Sequence, residues 1–186
     1  CLKLMYNYAI DKGYISKGNS NPFKGIQTGS YVKSKKVLYP DQLKLLYDFQ
    51  PQTLGEERAK DYFFFSFLCN GMNFKDMAYL QSKNLNHKTL TFIREKTKNT
   101  TREENEIQVY LHDEAKRILK KWGNKDLSPE SYLFPIITKK FASPKNESSY
   151  LFGNRKRMNK ALRCIGKKLG FENNLSIEQY APDKKV

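Results

Sequence analysis

Residues 154–169 carry basic side chains on one side and apolar side chains on the other, both at helical spacing. Seven Lys and Arg residues and no acidic residue occur from Arg155 to Lys168. Such a row of cations can bind the phosphates along a polyanion. The alternatives are a solvated face, which usually mixes charge signs, and a membrane-bound helix, which usually has Trp or Phe on its apolar face. The candidate contact residues are Arg155, Lys156, Lys160, Arg163 and Lys167, and the apolar stripe is Met158, Leu162, Ile165 and Leu169.

The whole chain is strongly basic. It has 34 Lys and Arg residues against 19 Asp and Glu, which gives a net charge of +15. A surplus of this size in a folded domain favours a polyanionic partner, and nucleic acid is the commonest one. A solvated surface and an anionic membrane are the alternatives. The 39% apolar content is enough for a sizeable core.

The three cysteines have no paired spacing. We expect Cys1, Cys69 and Cys164 to be reduced thiols of a cytosolic protein. Without a Cys-x-x-Cys motif or a pair of histidines, no zinc or other metal site is expected. No apolar run approaches the roughly 18 residues of a membrane span, so no membrane association is expected either.

A polar stretch rich in Gly, Ser and Lys, residues 27–36, predicts a linker. A length of 186 residues suits one domain, or one domain with a fragment of another. Before the linker, residues 2–10 have helical periodicity and Gly13 ends the predicted helix. The alternative is that these residues form the N-terminal helix of a single domain.

After the linker, the pattern predicts a mainly helical unit with two strands. Pro40 suits the first position of a helix that extends to Phe49, with Leu43, Leu46 and Tyr47 facing inward. The other predicted helices are residues 56–70, 74–80, 112–122 with Gly123 as C-cap, and 154–169. The predicted strands are residues 89–94 and 107–111, with a polar hairpin loop between them.

Residues 63–80 combine an apolar helix, a turn at Asn70-Gly71 and a short amphipathic helix. This block resembles the one that carries the first catalytic arginine in tyrosine recombinases, the phage-integrase family of DNA breaking and rejoining enzymes. The family pattern is roughly Gly-Leu-Arg-x-x-Glu-Leu-x-x-Leu. This chain keeps the glycine as Gly71, the acidic residue as Asp76 and the apolar positions. Asn73 stands at the position of the first catalytic arginine.

The resemblance implies a fold class and a domain division. The fold is expected to be mainly α with a small antiparallel β-sheet (α+β). Residues 1–30 are expected to be the end of a helical, SAM-like core-binding domain and its linker. Residues 31–186 are expected to be a tyrosine-recombinase catalytic domain that is incomplete at its C-terminus. A chain that begins at Cys1 is expected to have lost its true start.

The resemblance also assigns roles around the hairpin. The family has a lysine at the hairpin tip that protonates the leaving 5′ oxygen, and general acid catalysis of this kind contributes about 10²–10⁴-fold. Lys96 matches this catalytic lysine and Lys98 is a close second, although both could be ordinary loop lysines. An amide cannot give a phosphate the charged fork of arginine, so a nearby cation is expected to replace the arginine missing at Asn73. The candidates are Arg94, Arg102 and Lys75, and these three residues and Lys98 are also expected to contact DNA.

The second arginine and the nucleophilic tyrosine of the family have no match in this chain. Residues 175–181, Leu-Ser-Ile-Glu-Gln-Tyr-Ala, reach the place where the arginine box should begin. No Arg-His or His-x-x-Arg follows, and Tyr180 precedes the box. We expect either a truncated chain or, slightly favoured, a stretch missing after Ala181, with a degenerate relative as a third possibility. The chain alone is expected to be inactive.

The resemblance implies a site-specific recombinase or integrase of a mobile element, acting on double-stranded DNA through a phosphotyrosyl intermediate. The full-length parent is expected to form a tetramer on DNA, in the bacterial cytoplasm at the nucleoid, and this chain alone to be a monomer. No cofactor is expected, because the phosphotyrosyl bond conserves the energy of the broken phosphodiester. The alternatives are a non-catalytic DNA-binding module or regulator of the same fold, and an RNA-binding protein.

Overall fold

The computed structural model describes residues 2–16, 22–23, 38–95, 106–171 and 175. The chain separates into two compact units, Cys1–Ser34 and Lys35–Val186. In the first unit, helix α1 spans Leu2–Asp11 and none of its residues is buried. Gly13 follows with φ +72°, a conformation that glycine adopts without strain, so the predicted end of this helix is confirmed.

The second unit is mainly helical with a small two-stranded antiparallel sheet, so the predicted coarse fold class is confirmed. Within the described residues, no helix is both long enough and apolar enough to cross a membrane. The elements are α2 Pro40–Asp48, α3 Leu54–Leu68, α4 Phe74–Tyr79, a 3₁₀ turn Ser82–Asn84, β1 Thr89–Ile93, β2 Glu106–Tyr110, α5 Asp113–Trp122 and α6 Pro144–Lys168.

Helix α3 is the centre of the core and contacts both α5 and α6. The Thr53 side chain caps its first turn by accepting a hydrogen bond from the Glu56 amide at 3.2 Å. Tyr62 and Phe65 are almost fully buried, and their rings lie 5.0 and 4.9 Å from the ring of Phe134. Aromatic packing therefore joins α3 to the segment between α5 and α6.

The predicted turn at Asn70-Gly71 is confirmed. Both residues have positive φ, 58° and 67°, and such a conformation favours Asn and Gly over other residues. The Ser66 hydroxyl closes the turn by donating to the Met72 carbonyl. The chain then enters α4 directly, so the turn fixes where α4 begins relative to α3.

The two strands pair in antiparallel register, with Leu90 opposite Val109 and Phe92 opposite Ile107. Leu90, Phe92 and Val109 are buried, so one face of the hairpin packs on the core, as the alternating pattern predicts. The loop that joins the strands lies outside the described residues.

Helix α6 differs from its predicted bounds. It begins at Pro144, ten residues before the predicted start at Asn154. Ser143 is the N-cap and Pro144 occupies the first turn, which is a helix-start signal that the basic pattern further along obscured. Tyr47 was also expected to face inward, but it is 49% exposed, because Leu46 occupies the buried position of α2.

Gly123 is the C-cap of α5, as predicted. Its φ of −69° is ordinary, so a left-handed cap is not what requires glycine. A Cβ atom at this position would lie 2.4 Å from the Leu119 carbonyl oxygen. Glycine is needed here because the backbone passes too close to the helix end for any side chain.

Candidate nucleic-acid interface

Helix α6 has the two faces that the sequence predicts. Leu162 and Ile165 are fully buried, and Met158 and Leu169 pack against the core. On the opposite face four of the five candidate contact residues are exposed, namely Lys156, Lys160, Arg163 and Lys167, whereas Arg155 is half-buried. We call these four residues the α6 basic row. At about 1.5 Å per residue, the row extends over about 17 Å.

The α6 basic row has no acidic neighbour in ion-pair contact within the described residues. The adjacent Lys168 shows the contrast, because its ammonium group binds the Glu56 carboxylate at 2.6 Å. Arg155 lies at the edge of the row with its guanidinium 5.3 Å from the Phe152 ring centroid. The charges of the row are therefore available to an external anion, and a binding phosphate would displace only counterions and water.

Asn73 is a helix cap in this structure. Its Oδ1 accepts a hydrogen bond from the Asp76 amide at 2.9 Å, which satisfies a free amide of the first turn of α4. Its Nδ2 donates to the Asp76 carboxylate at 2.6 Å. Both polar ends of the Asn73 amide therefore hold the start of α4.

Asp76 is the centre of this network and is only 3% exposed. Its carboxylate also accepts a hydrogen bond from the backbone amide of Glu95 at 3.0 Å. Burial raises the pKa of Asp76 above its ordinary value, and this effect outweighs the opposing Glu95 hydrogen bond and the nearby Arg94 charge. Asp76 therefore joins the start of α4 to the end of β1.

Two of the predicted DNA-contact residues lie around the same network. The Arg94 charge opposes the rise in the pKa of Asp76 that burial causes, and Lys75 is exposed, with its ammonium 3.7 Å from the Glu95 carboxylate. Both cations therefore lie near Asp76, the hydrogen-bond partner of Asn73. Lys96, Lys98 and Arg102 lie outside the described residues, so their predicted roles stay predictions.

The sequence reasoning did not identify Asn73 and Asp76 as a structural pair. A signal was present, because Asn at the N-cap with an acidic residue three positions later resembles a capping box. The family pattern directed attention to the arginine that is missing from this position. The acidic residue that this chain shares with the family pattern, Asp76, accepts a hydrogen bond from the Asn73 amide, and this amide cannot offer a phosphate the charge of arginine.

Two buried carboxylates, each paired with partly exposed cations, hold α5 and α6 on α3. The Asp61 carboxylate, 3% exposed, accepts hydrogen bonds from Lys121 at 2.7 Å, from Trp122 at 2.6 Å and from Arg117 at 3.0 Å. Burial alone would raise the pKa of Asp61, but these three donors together lower it. Glu56 has a lowered pKa because Lys168, at the end of α6, donates to it.

These features define a mainly helical domain with an exposed basic face on α6. A hydrogen-bond network of Asn73, Asp76 and the Glu95 amide joins the start of α4 to the end of β1. No family model, no curated protein and no solved structure matches this chain at a significant level. The likeness to the tyrosine recombinases therefore depends on the residues of this sequence alone.

Proposed function

We propose that this chain binds duplex DNA through the α6 basic row, as part of the catalytic domain of a site-specific tyrosine recombinase. The observation that carries the proposal is the row itself, four exposed cations on one helix face with no acidic partner in the described residues. Contacts of this kind bind phosphates and position a protein on DNA without reading its sequence.

The order of the elements supports the recombinase part of the proposal. An apolar helix, the Asn70-Gly71 turn, a short helix and an antiparallel hairpin follow one another in the order that the resemblance to this family implies. In the proposed reaction a tyrosine hydroxyl of the full-length parent attacks a phosphodiester and the 5′ oxygen leaves with a proton from Lys96. No position of this chain matches the nucleophile.

A second candidate is a DNA-binding module without catalytic activity. The observation that favours it is the use of the Asn73 amide as a helix cap, bound to a buried carboxylate. A phosphate placed there would meet an uncharged amide instead of an arginine, unless Lys75 or Arg94 supplied the charge. Both candidate functions include binding of duplex DNA through α6, and only the recombinase cleaves and rejoins the DNA strand.

The DNA contact is tested with two variants that each lose four positive charges. The first replaces Lys156, Lys160, Arg163 and Lys167 by Ala. The matched control replaces the exposed Lys44, Lys88, Lys120 and Lys125 by Ala, so its net charge is the same. We expect fluorescence anisotropy with a labelled duplex to show at least about tenfold weaker binding for the first variant only. Equal losses in both variants would contradict the proposal.

The catalytic question is tested on the protein of the full parent gene. A nicked suicide duplex should trap a covalent phosphotyrosyl adduct if the parent is a recombinase. Duplex binding without any adduct would favour the module instead. In an active parent, full activity of both Arg94→Ala and Arg102→Ala would reject the idea that either arginine replaces the one missing at Asn73.

A further inference from the structure

A cavity of about 450 Å³ lies between the N-terminal half of α3, the segment after Phe134 and the first half of α6. None of the described residues that line it is acidic, and two are arginines, Arg58 and Arg157. Arg58 is half-buried on α3 and Arg157 is exposed on α6. Two arginines that line one cavity without a carboxylate favour an anionic occupant, because arginine binds phosphate oxygens with paired hydrogen bonds.

Neighbouring groups hold both arginines. The Arg58 guanidinium lies over the Trp122 ring, 4.9 Å from its centroid, and this contact limits its orientation. Arg157 donates to the side-chain Oδ1 of Asn154 at 2.7 Å. These contacts leave further N–H donors on each arginine, since a guanidinium has five.

Hydroxyl groups complete the polar side of the cavity. The Tyr150 hydroxyl lies 3.0 Å from the Thr138 hydroxyl. The pKa of Tyr150 is lowered, first by the hydrogen bond with Thr138, then by Asn154, with Arg157 and Lys139 as nearby charges. The polar side therefore presents donors and positive charge together.

The floor of the cavity is apolar. Tyr62, Phe74 and Ile136 are buried there, and Met158 and Ala161 of α6 complete it. A free inorganic anion would use only the polar side, whereas a flat organic group would also cover the floor. Cavities of about 300–1,000 Å³ with a mostly apolar lining and a few convergent polar groups are typical of small-molecule sites.

We propose that this α3–α6 cavity binds a nucleoside phosphate, with the phosphate on Arg58 and Arg157 and the base on the apolar floor. The site is separate from the α6 basic row, whose side chains are on the exposed face of the helix. A free nucleotide and a nucleotide of a DNA strand share this chemistry, and only the second source depends on the proposed DNA-binding function.

Trp122 gives a direct readout, because it is the only tryptophan of the chain and Arg58 lies on its ring. Titration of the full chain with dTMP should change its fluorescence to saturation, and thymidine should give no response. Inorganic phosphate should bind at least about tenfold more weakly than dTMP. No saturable response to dTMP up to about 10 mM would overturn the proposal. Equal affinity for inorganic phosphate would overturn the nucleoside assignment.

Variants locate the site. Arg157→Gln should weaken dTMP binding at least about tenfold, because a charge-assisted contact is lost. Arg157 is exposed, so this variant should fold normally, and Arg58→Gln with an unchanged near-ultraviolet circular dichroism spectrum provides a second test. Lys145→Gln is the control with the same charge change on the same helix, outside both the cavity and the α6 basic row, and it should bind dTMP within about twofold of the original chain. An equal loss in Lys145→Gln, or no loss in Arg157→Gln, would overturn the proposal.

A saturating duplex distinguishes the two sources. If the cavity takes a nucleotide of DNA, the duplex should displace dTMP from the original chain. If it takes a free nucleotide, dTMP should bind equally with and without duplex. The variant without the α6 basic row distinguishes failure of this proposal from failure of the proposed DNA-binding function. That variant should still bind dTMP even where it no longer binds duplex DNA.

Discussion

Replacement of Asn73 tests whether this position is structural in the present chain. Asn73→Ala removes both the cap on the Asp76 amide and the hydrogen bond to the Asp76 carboxylate. A lost N-cap costs about 0.5–2 kcal/mol, and a lost hydrogen bond to a charged group about 1.5–3 kcal/mol. Because the two contacts share one side chain, we expect a combined loss of about 2–4 kcal/mol in the free energy of unfolding.

Asn73→Ser separates the two contacts. Serine can still cap the Asp76 amide, but it is too short to replace the amide donor to the carboxylate. This variant should therefore be about 1 kcal/mol more stable than Asn73→Ala. Asn73→Arg, which restores the residue of the family pattern, should lose the cap and fall close to the alanine variant.

Urea unfolding followed by Trp122 fluorescence measures these differences as shifts of the midpoint at constant slope. Lys83→Ala is a suitable control, since it removes only an exposed contact with Glu130 and should cost less than about 1 kcal/mol. If Asn73→Ala unfolds within about 0.5 kcal/mol of the original chain, the structural reading of Asn73 is wrong. The position would then be free for a role in binding.

Three further predictions concern the contacts of α3 with α5 and α6 and the end of α5. Asp61→Ala leaves the part-buried indole N–H of Trp122 and two cations without their acceptor, so urea unfolding should show a loss of about 2–4 kcal/mol in the free energy of unfolding. The partial exposure of the two cations keeps this loss below that of a fully buried pair. Gly123→Ala places a Cβ atom 2.4 Å from a carbonyl oxygen and should cost about 1–3 kcal/mol in the same assay. Glu56 has a lowered pKa in the folded chain, so its stabilisation is complete above its ordinary value of 4.5 and is lost as the pH falls below it towards the folded pKa. The unfolding midpoint measured against pH should therefore fall less steeply below pH 4.5 in Glu56→Gln, and an unchanged profile would contradict this assignment.

The sequence predicted well the features that local periodicity determines. The apolar face of α6, the positive-φ turn at Asn70-Gly71 and the buried face of the hairpin all follow from spacing within a few residues. The start of α6 was misplaced because residues 144–153 are mostly exposed and have no strong apolar period. Tyr47 was misassigned because periodicity cannot tell which of two adjacent apolar residues a neighbouring helix will cover.

Contacts between distant residues were not predictable from spacing. Asp61 is bound by donors on α5 about 60 positions away, and Arg58 and Arg157 meet at one cavity from two separate helices. No local pattern connects such residues. The helix-capping role of Asn73 was predictable from spacing in principle, since its partner Asp76 is only three positions away. The family pattern instead indicated a catalytic position.

The salt dependence of duplex binding tests the DNA contact of α6 most directly. Each phosphate contact contributes about 0.9 to the slope of log K against log salt concentration. The variant without Lys156, Lys160, Arg163 and Lys167 should therefore have a slope smaller in magnitude by up to about 3.6, while the matched four-alanine control keeps the slope of the original chain. Identical slopes for the original chain and the α6 variant would show that the α6 basic row does not contact DNA.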